Sequence, residues 1–193
     1  MSKFITRMSG PQRGAALLTC GAALLLVLVF TGDEPTNAQG QGSPQGDEAK
    51  ARIGLEITPV PLDLRGKNPA LVGLGSYIVN AVGGCTDCHT SPQFFLGGDP
   101  FNGQPEQINT DGFLAGGRAF GPFISRNLTP DGNGLPAGMT FDEFEFVMRT
   151  GADVKHIPPN DLLQVMPWPV YSKMSSRDME AVYEYLSAIP SLP

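Results

Sequence analysis

The sequence predicts a mostly α-helical domain with long glycine- and proline-rich loops, and three observations carry that expectation. Several stretches combine helix start signals, apolar spacing of three and four, and a stop signal. Nothing alternates helix with strand in a βαβ rhythm. Residues 90–139 have a glycine or proline every few positions, yet they also carry Phe94, Phe95, Phe101, Phe113, Phe120 and Phe123. A loop of that length in a compact domain needs something to wrap, and so many aromatics fit poorly with disorder.

The first 38 residues read as export machinery. Lys3, Arg7 and Arg13 give a positive start, and residues 15–30 are apolar except for Thr19 and Gly21. Thr36-Asn37-Ala38 supplies small residues for cleavage after Ala38. The alternative is an uncleaved anchor, although the apolar run is shorter than the roughly 20 residues of a membrane span. Removing residues 1–38 takes away three of thirteen Lys+Arg and two of nineteen Asp+Glu, leaving ten against seventeen. An acidic chain disfavours nucleic acid as a partner, which calls for a basic face, so no nucleic acid is expected, and it disfavours an electrostatic hold on anionic lipid. The remaining length, about 155 residues, is one domain's worth of chain.

Residues 39–67 are expected to form a linker and an extended segment. Through residue 50 the chain is rich in Gly, Pro, Gln, Asp and Glu, and in residues 55–64 Pro59 and Pro61 allow an edge segment but not a central strand. The domain proper is placed at residues 68–193. Asn68-Pro69 opens a helix that runs through Val82 and stops at Gly83-Gly84, with Gly73 and Gly75 permitting close approach of another helix. Asp131-Gly132 makes a turn. Thr140-Phe141-Asp142-Glu143 is a capping box, followed by Phe144, Val147 and Met148 and ended by Gly151. Ser175 and Ser176 open the last helix, where Met179, Val182, Tyr183 and Leu186 form one stripe before Pro190.

Between the first two of these helices stands Cys85-Thr86-Asp87-Cys88-His89. The pattern C-x-x-C-H is the attachment signature of a c-type haem: thiols at i and i+3 add to porphyrin vinyl groups, and the next imidazole lies under the iron. A zinc site needs about four N/S ligands, and outside the motif the chain offers only Cys20 and His156. A thioredoxin-like site would follow a strand, and none is predicted there. The motif occurs once, so one covalent haem c is expected, held by Cys85, Cys88 and His89, with the six phenylalanines of residues 90–139 packed on its face and edges.

The ligand opposite His89 decides function: a methionine gives six-coordinate iron suited to electron transfer, whereas an open position permits catalysis or ligand binding. Met1 and Met8 leave with the signal, Met179 lies on a packed stripe, and Met139 and Met148 flank a helix as core residues. Met166, in Val165-Met166-Pro167-Trp168-Pro169, sits on backbone stiffened by two prolines and is the preferred ligand. Met174, placed to serve as a hydrophobic staple, and His156 follow it.

Taken together, these residues resemble class I c-type cytochromes, and more narrowly the cytochrome c subunits of membrane-bound alcohol and gluconate dehydrogenases. The resemblance rests on Gly75-Ser76-Tyr77 ahead of the haem motif, Arg126-Asn127-Leu128-Thr129-Pro130-Asp131, Phe144 with Arg149-Thr150-Gly151, and Met166-Pro167-Trp168-Pro169 leading to Asp178, Tyr185 and Leu186. It spans about residues 68–190. It implies a cytochrome c-like helical domain wrapped around one haem, Met166 as the distal iron ligand, and a crossing of the first and last helices near Gly75 and Tyr185. Those dehydrogenase subunits carry three such haem units, whereas this chain has one motif. The expected role is an electron carrier, not an enzyme, at the periplasmic or outer face of the cytoplasmic membrane. Its partners would be a dehydrogenase, a quinol-oxidising complex, an oxidase or another cytochrome, with membrane association through the N-terminus. The alternatives are a peroxidase-like haem enzyme, recruiting Arg126 or His156 as acid–base group, and a haem sensor with a displaceable sixth ligand.

Overall fold

In the computed structural model the described residues are 44–155 and 161–193. The expected signal or anchor at residues 1–38 and the candidate ligand His156 lie outside them. Among the described residues the fold is mostly helical, with two two-stranded antiparallel hairpins.

The first element differs from the sequence expectation. Residues 44–57 are not a solvated linker but a helix, α1 (Pro44–Ile57). Its contact face is made of small residues, which a search for large apolar side chains passes over. A Cβ on Gly54 would stand 1.9 Å from the Gly73 carbonyl oxygen, and one on Gly73 would stand 2.3 Å from that of Ala51. The backbones therefore touch, and Asp47 reaches Arg177 at 3.1 Å from the same helix. Residues 58–64 are irregular, as the prolines require, and Val60 is buried while the Asp63 amide donates to the Ala188 carbonyl at 2.8 Å.

α2 (Pro69–Tyr77) starts where the sequence places it. The Asn68 side chain accepts from the Ala70 amide at 3.0 Å, and Pro69 occupies the first turn, where its missing N–H costs nothing. The helix continues as one wider turn over Ile78–Val82 and closes when the Gly83 amide donates to Ile78 at 2.7 Å. α3 (Cys85–His89) follows directly. Gly84, at φ 61°, supplies the left-handed step that turns the chain between them.

The loop region contains a small hairpin, β1 (Ala119–Phe120) with β2 (Phe123–Ile124), in register Ala119↔Ile124. α4 (Phe141–Thr150) has the expected capping box, and Gly151 ends it at φ 73°. The second hairpin, β3 (Ala152–Asp153) with β4 (Asp161–Leu162), leads to the short α5 (Trp168–Tyr171). α6 (Ser176–Leu186) is capped by Ser175, whose side chain accepts from the Asp178 amide at 3.1 Å.

The core forms where α2 crosses α6. A Cβ on Gly75 would lie 1.8 Å from the Ala181 carbonyl oxygen, so only glycine permits this approach. Tyr185, wholly buried, faces the crossing, and its hydroxyl bonds Thr58 Oγ1 and the Asn80 amide at 3.1 Å each. Ser76 donates to the Gly54 carbonyl at 2.6 Å, which joins α1 to the same network. Every polar group drawn into this crossing by small-residue packing thereby gains a partner except Asn80 Oδ1.

Candidate functional site

α3 presents its side chains on a turn fixed from three directions. The Thr90 hydroxyl, fully buried, accepts from the Leu114 amide at 3.0 Å, and the His89 carbonyl accepts from the Gly116 amide at 2.7 Å. Asp87 is held from outside the turn: its side chain accepts from Gln93 Nε2 at 2.7 Å, and its carbonyl accepts from Arg118. The turn cannot rotate without breaking contacts to the loop that follows it.

His89 Nδ1 lies 2.7 Å from the Arg126 carbonyl oxygen. Since a carbonyl only accepts, Nδ1 carries the proton and donates, which leaves Nε2 as the nitrogen with a free lone pair. Burial holds the imidazole pKa below its ordinary value, favouring the neutral ring that a metal requires. The Arg126 guanidinium is occupied by Asp153 through contacts of 2.9 and 2.7 Å. Arg126 therefore fixes the histidine with its backbone and braces its own position with its side chain.

Cys85 and Cys88 are free thiols, both half-buried. Burial pushes the Cys85 thiol up to about 12. Neither thiol is engaged in a disulfide.

Cys85, Cys88, His89 and Met166 all line one cavity of about 660 Å³, within the roughly 300–1,000 Å³ range of small-molecule and cofactor sites. Its walls come from Val79 on the turn that continues α2, Phe120 and Phe123 of the first hairpin, Leu128, Phe144 of α4 and Leu186 of α6. Apolar walls, two unpaired thiols three residues apart and one imidazole with a free nitrogen match what a covalently attached haem needs. The residues present fit the group.

Three of the described methionines, Met139, Met148 and Met166, line the cavity. Met139 and Met148 are buried in the core, at 4% and 6% exposure, as expected, and they also line the cavity. Met166 lines it from the segment before α5, while Met174 packs against the core away from the cavity lining. Of the six loop phenylalanines expected around the cofactor, only Phe120 and Phe123 line the cavity. Phe113 is in the protein core at 1% exposure, and Phe101 stands out at 87%.

Three features of the site carried no readable signal. The carbonyl that orients His89 depends on loop path and not on the identity of Arg126. The Arg126–Asp153 pair joins residues 27 apart. The Tyr171 hydroxyl donates to the Gly83 carbonyl at 2.6 Å, across 88 residues of sequence.

The chain is similar to three kinds of curated protein. It is 32% identical over 118 residues to the gluconate 2-dehydrogenase cytochrome c subunit of Pantoea cypripedii, a match covering 61% of this chain and 23% of the relative. It is 32% identical over 116 residues to the alcohol dehydrogenase (quinone) cytochrome c subunit of Komagataeibacter europaeus, covering 60% and 21%. With a nicotinate dehydrogenase subunit from Pseudomonas putida it shares 31% identity over 134 residues, covering 68% and 10%. The chain thus spans less than a quarter of the length of these relatives. No protein-family model matches the chain, and no solved structure matches it significantly. The chain is thus mostly helical among its described residues and similar, over about 60% of its length, to cytochrome c subunits of dehydrogenases.

Proposed function

We propose that this protein is an exported monohaem c-type cytochrome that carries single electrons between respiratory or dehydrogenase partners. The observation that carries this reading is the convergence of Cys85, Cys88, His89 and Met166 on one apolar cavity. Once bound, the haem supplies a one-electron ferric/ferrous couple. The two thiols would tether it, His89 would offer Nε2 while its Nδ1 proton is committed to the Arg126 carbonyl, and Met166 would offer a soft thioether. The apolar walls would keep water from the bound group, and the reading requires no protein acid or base.

The names of the relatives make a dehydrogenase the first candidate among electron donors, with a quinol-oxidising complex, an oxidase or another cytochrome as further partners. Among the described residues no helix is long and apolar enough to cross a membrane. Residues 1–38 remain our proposed signal or anchor, with the haem domain at residues 68–193. The peroxidase-like reading loses one of its two acid–base candidates, because Arg126 sits beside His89 through its carbonyl and its guanidinium is paired with Asp153.

Acid–acetone extraction of denatured protein tests the attachment. Colour should stay with the polypeptide in the wild type, Cys88→Ala should retain one bond at lower yield, and His89→Ala should prevent maturation. Colour leaving with the solvent overturns the covalent assignment. Deleting residues 1–38 should give colourless protein in the cytoplasm; coloured protein there overturns the export assignment.

A further inference from the structure

We infer that the Tyr171 hydroxyl is a latch that holds the Met166 segment closed over the cavity, and that Tyr171 is a positioning residue for the sixth ligand. The inference rests on the reading of Met166 as that ligand. Among the described residues, 164–166 make one backbone hydrogen bond, the Met166 carbonyl accepting from the Trp168 amide at 2.8 Å. The segment is a strap whose place is set by its two ends.

The upstream end is tied where the Leu163 amide donates to the Gly151 carbonyl at 2.8 Å. The downstream end is α5. Trp168 lies so close on Gly151 that a Cβ there would come within 2.3 Å of the indole ring. Arg149 grips the exit of α5, donating to the Ser172 carbonyl at 2.8 Å and to that of Met174. All these ties run to α4 and to Gly151, which ends it.

Among the described residues, Tyr171 ties α5 to the chain just ahead of α3. Its hydroxyl donates at 2.6 Å to Gly83, two residues ahead of Cys85, and the Gly83 amide is itself fixed to Ile78 at 2.7 Å. The latch therefore joins the strap to a rigid point on the thiol-bearing turn. Losing the hydroxyl removes that link and leaves the Gly83 carbonyl without its donor, which favours an open strap. The ring stays, so packing changes little.

Tyr171→Phe tests this on purified holoprotein. The wild type should show the weak red charge-transfer band of methionine–ferric haem, and its ferrous form should resist carbon monoxide. The variant should keep covalent haem and far-UV helicity, weaken the band, and bind carbon monoxide roughly tenfold more readily, the equivalent of about 1.4 kcal/mol. Tyr183→Phe removes a comparable bond, hydroxyl to the Met139 carbonyl at 2.9 Å, and should leave band and carbon monoxide response as in the wild type. A Tyr171→Phe protein with the wild-type band and response overturns the latch while leaving His/Met ligation standing. A wild type without the band overturns the ligation itself. If Tyr171→Phe yields no holoprotein, Tyr171→Leu, which also removes the hydroxyl, takes its place, and the wild-type band and carbon monoxide response there overturn the latch equally.

Discussion

His89 and Arg126 meet through one bond, imidazole Nδ1 to backbone carbonyl at 2.7 Å, and that bond fixes which nitrogen of the ring faces the cavity. Arg126 keeps its place because Asp153, itself buried, takes two contacts from its guanidinium. Orientation of the ring thus depends on a residue that never touches it.

Asp153→Asn should therefore cost more than a surface pair would. The Arg126 side chain is 33% exposed and that of Asp153 12%, so solvent screens the pair partly. A loss of about 1–3 kcal/mol is expected, seen as a lower denaturant midpoint at unchanged m-value. A midpoint shifted by less than about 0.5 kcal/mol would mean that the pair does not brace the loop.

Gly75→Ala should be far more damaging than its size implies. The new methyl would stand 1.8 Å from backbone at Ala181, which only separation of α2 from α6 can relieve. A destabilisation of at least about 3 kcal/mol is expected, against a change within about 1 kcal/mol for Gly132→Ala, where nothing lies within 4 Å. Equal thermal midpoints for the two variants would contradict the crossing.

That contrast also explains what was legible in the sequence. α2, α4 and α6 announce themselves, because Asn68, Thr140 and Ser175 are side-chain caps and the apolar residues after them repeat at helical spacing. α1 stayed hidden because its buried face is Ala51 and Gly54, a contact of backbones that leaves no hydrophobic stripe. Cys85, Cys88, His89 and Met166, singled out by motif and by neighbouring prolines, all line one cavity. The loop phenylalanines misled by composition: Phe113 and Phe101 lie in one long glycine-rich stretch, one in the core and the other outside. Pairings such as Tyr171 with Gly83 belong to tertiary structure alone.

Acid should destabilise through identifiable carboxylates. The Asp131 carboxyl is held below its ordinary value by the Leu135 and Asn133 amides, and that of Glu143 by the Thr140 amide. A depressed folded pKa means stability that is complete above the ordinary carboxylate range and lost as pH falls through it. Replacing Asp131 with Asn and Glu143 with Gln should lower the thermal midpoint at pH 7 and flatten its decline towards pH 3. A parallel decline in both proteins would assign the acid limb to other groups.

Docking should weaken with salt. Beyond residue 38 the chain is acidic, with ten Lys+Arg against seventeen Asp+Glu. With a basic partner, electron-transfer rates should fall as ionic strength rises past about 0.1 M, where screening limits exposed charges to roughly 10 Å. Rates that stay flat or rise would indicate an apolar interface or an acidic partner.

The proposed carrier role stands or falls on Met166, and the visible spectrum of the oxidised protein together with carbon monoxide binding to the reduced form reads it directly. The wild type should show the methionine–ferric band and resist carbon monoxide; Met166→Ala should lose the band, admit carbon monoxide and fall in reduction potential, because a thioether favours ferrous iron. Met139→Leu and Met148→Leu, which alter the other two thioethers of the cavity, should keep the band. A wild type that binds carbon monoxide readily without the band, or a Met166→Ala protein that retains it, would contradict His89/Met166 ligation.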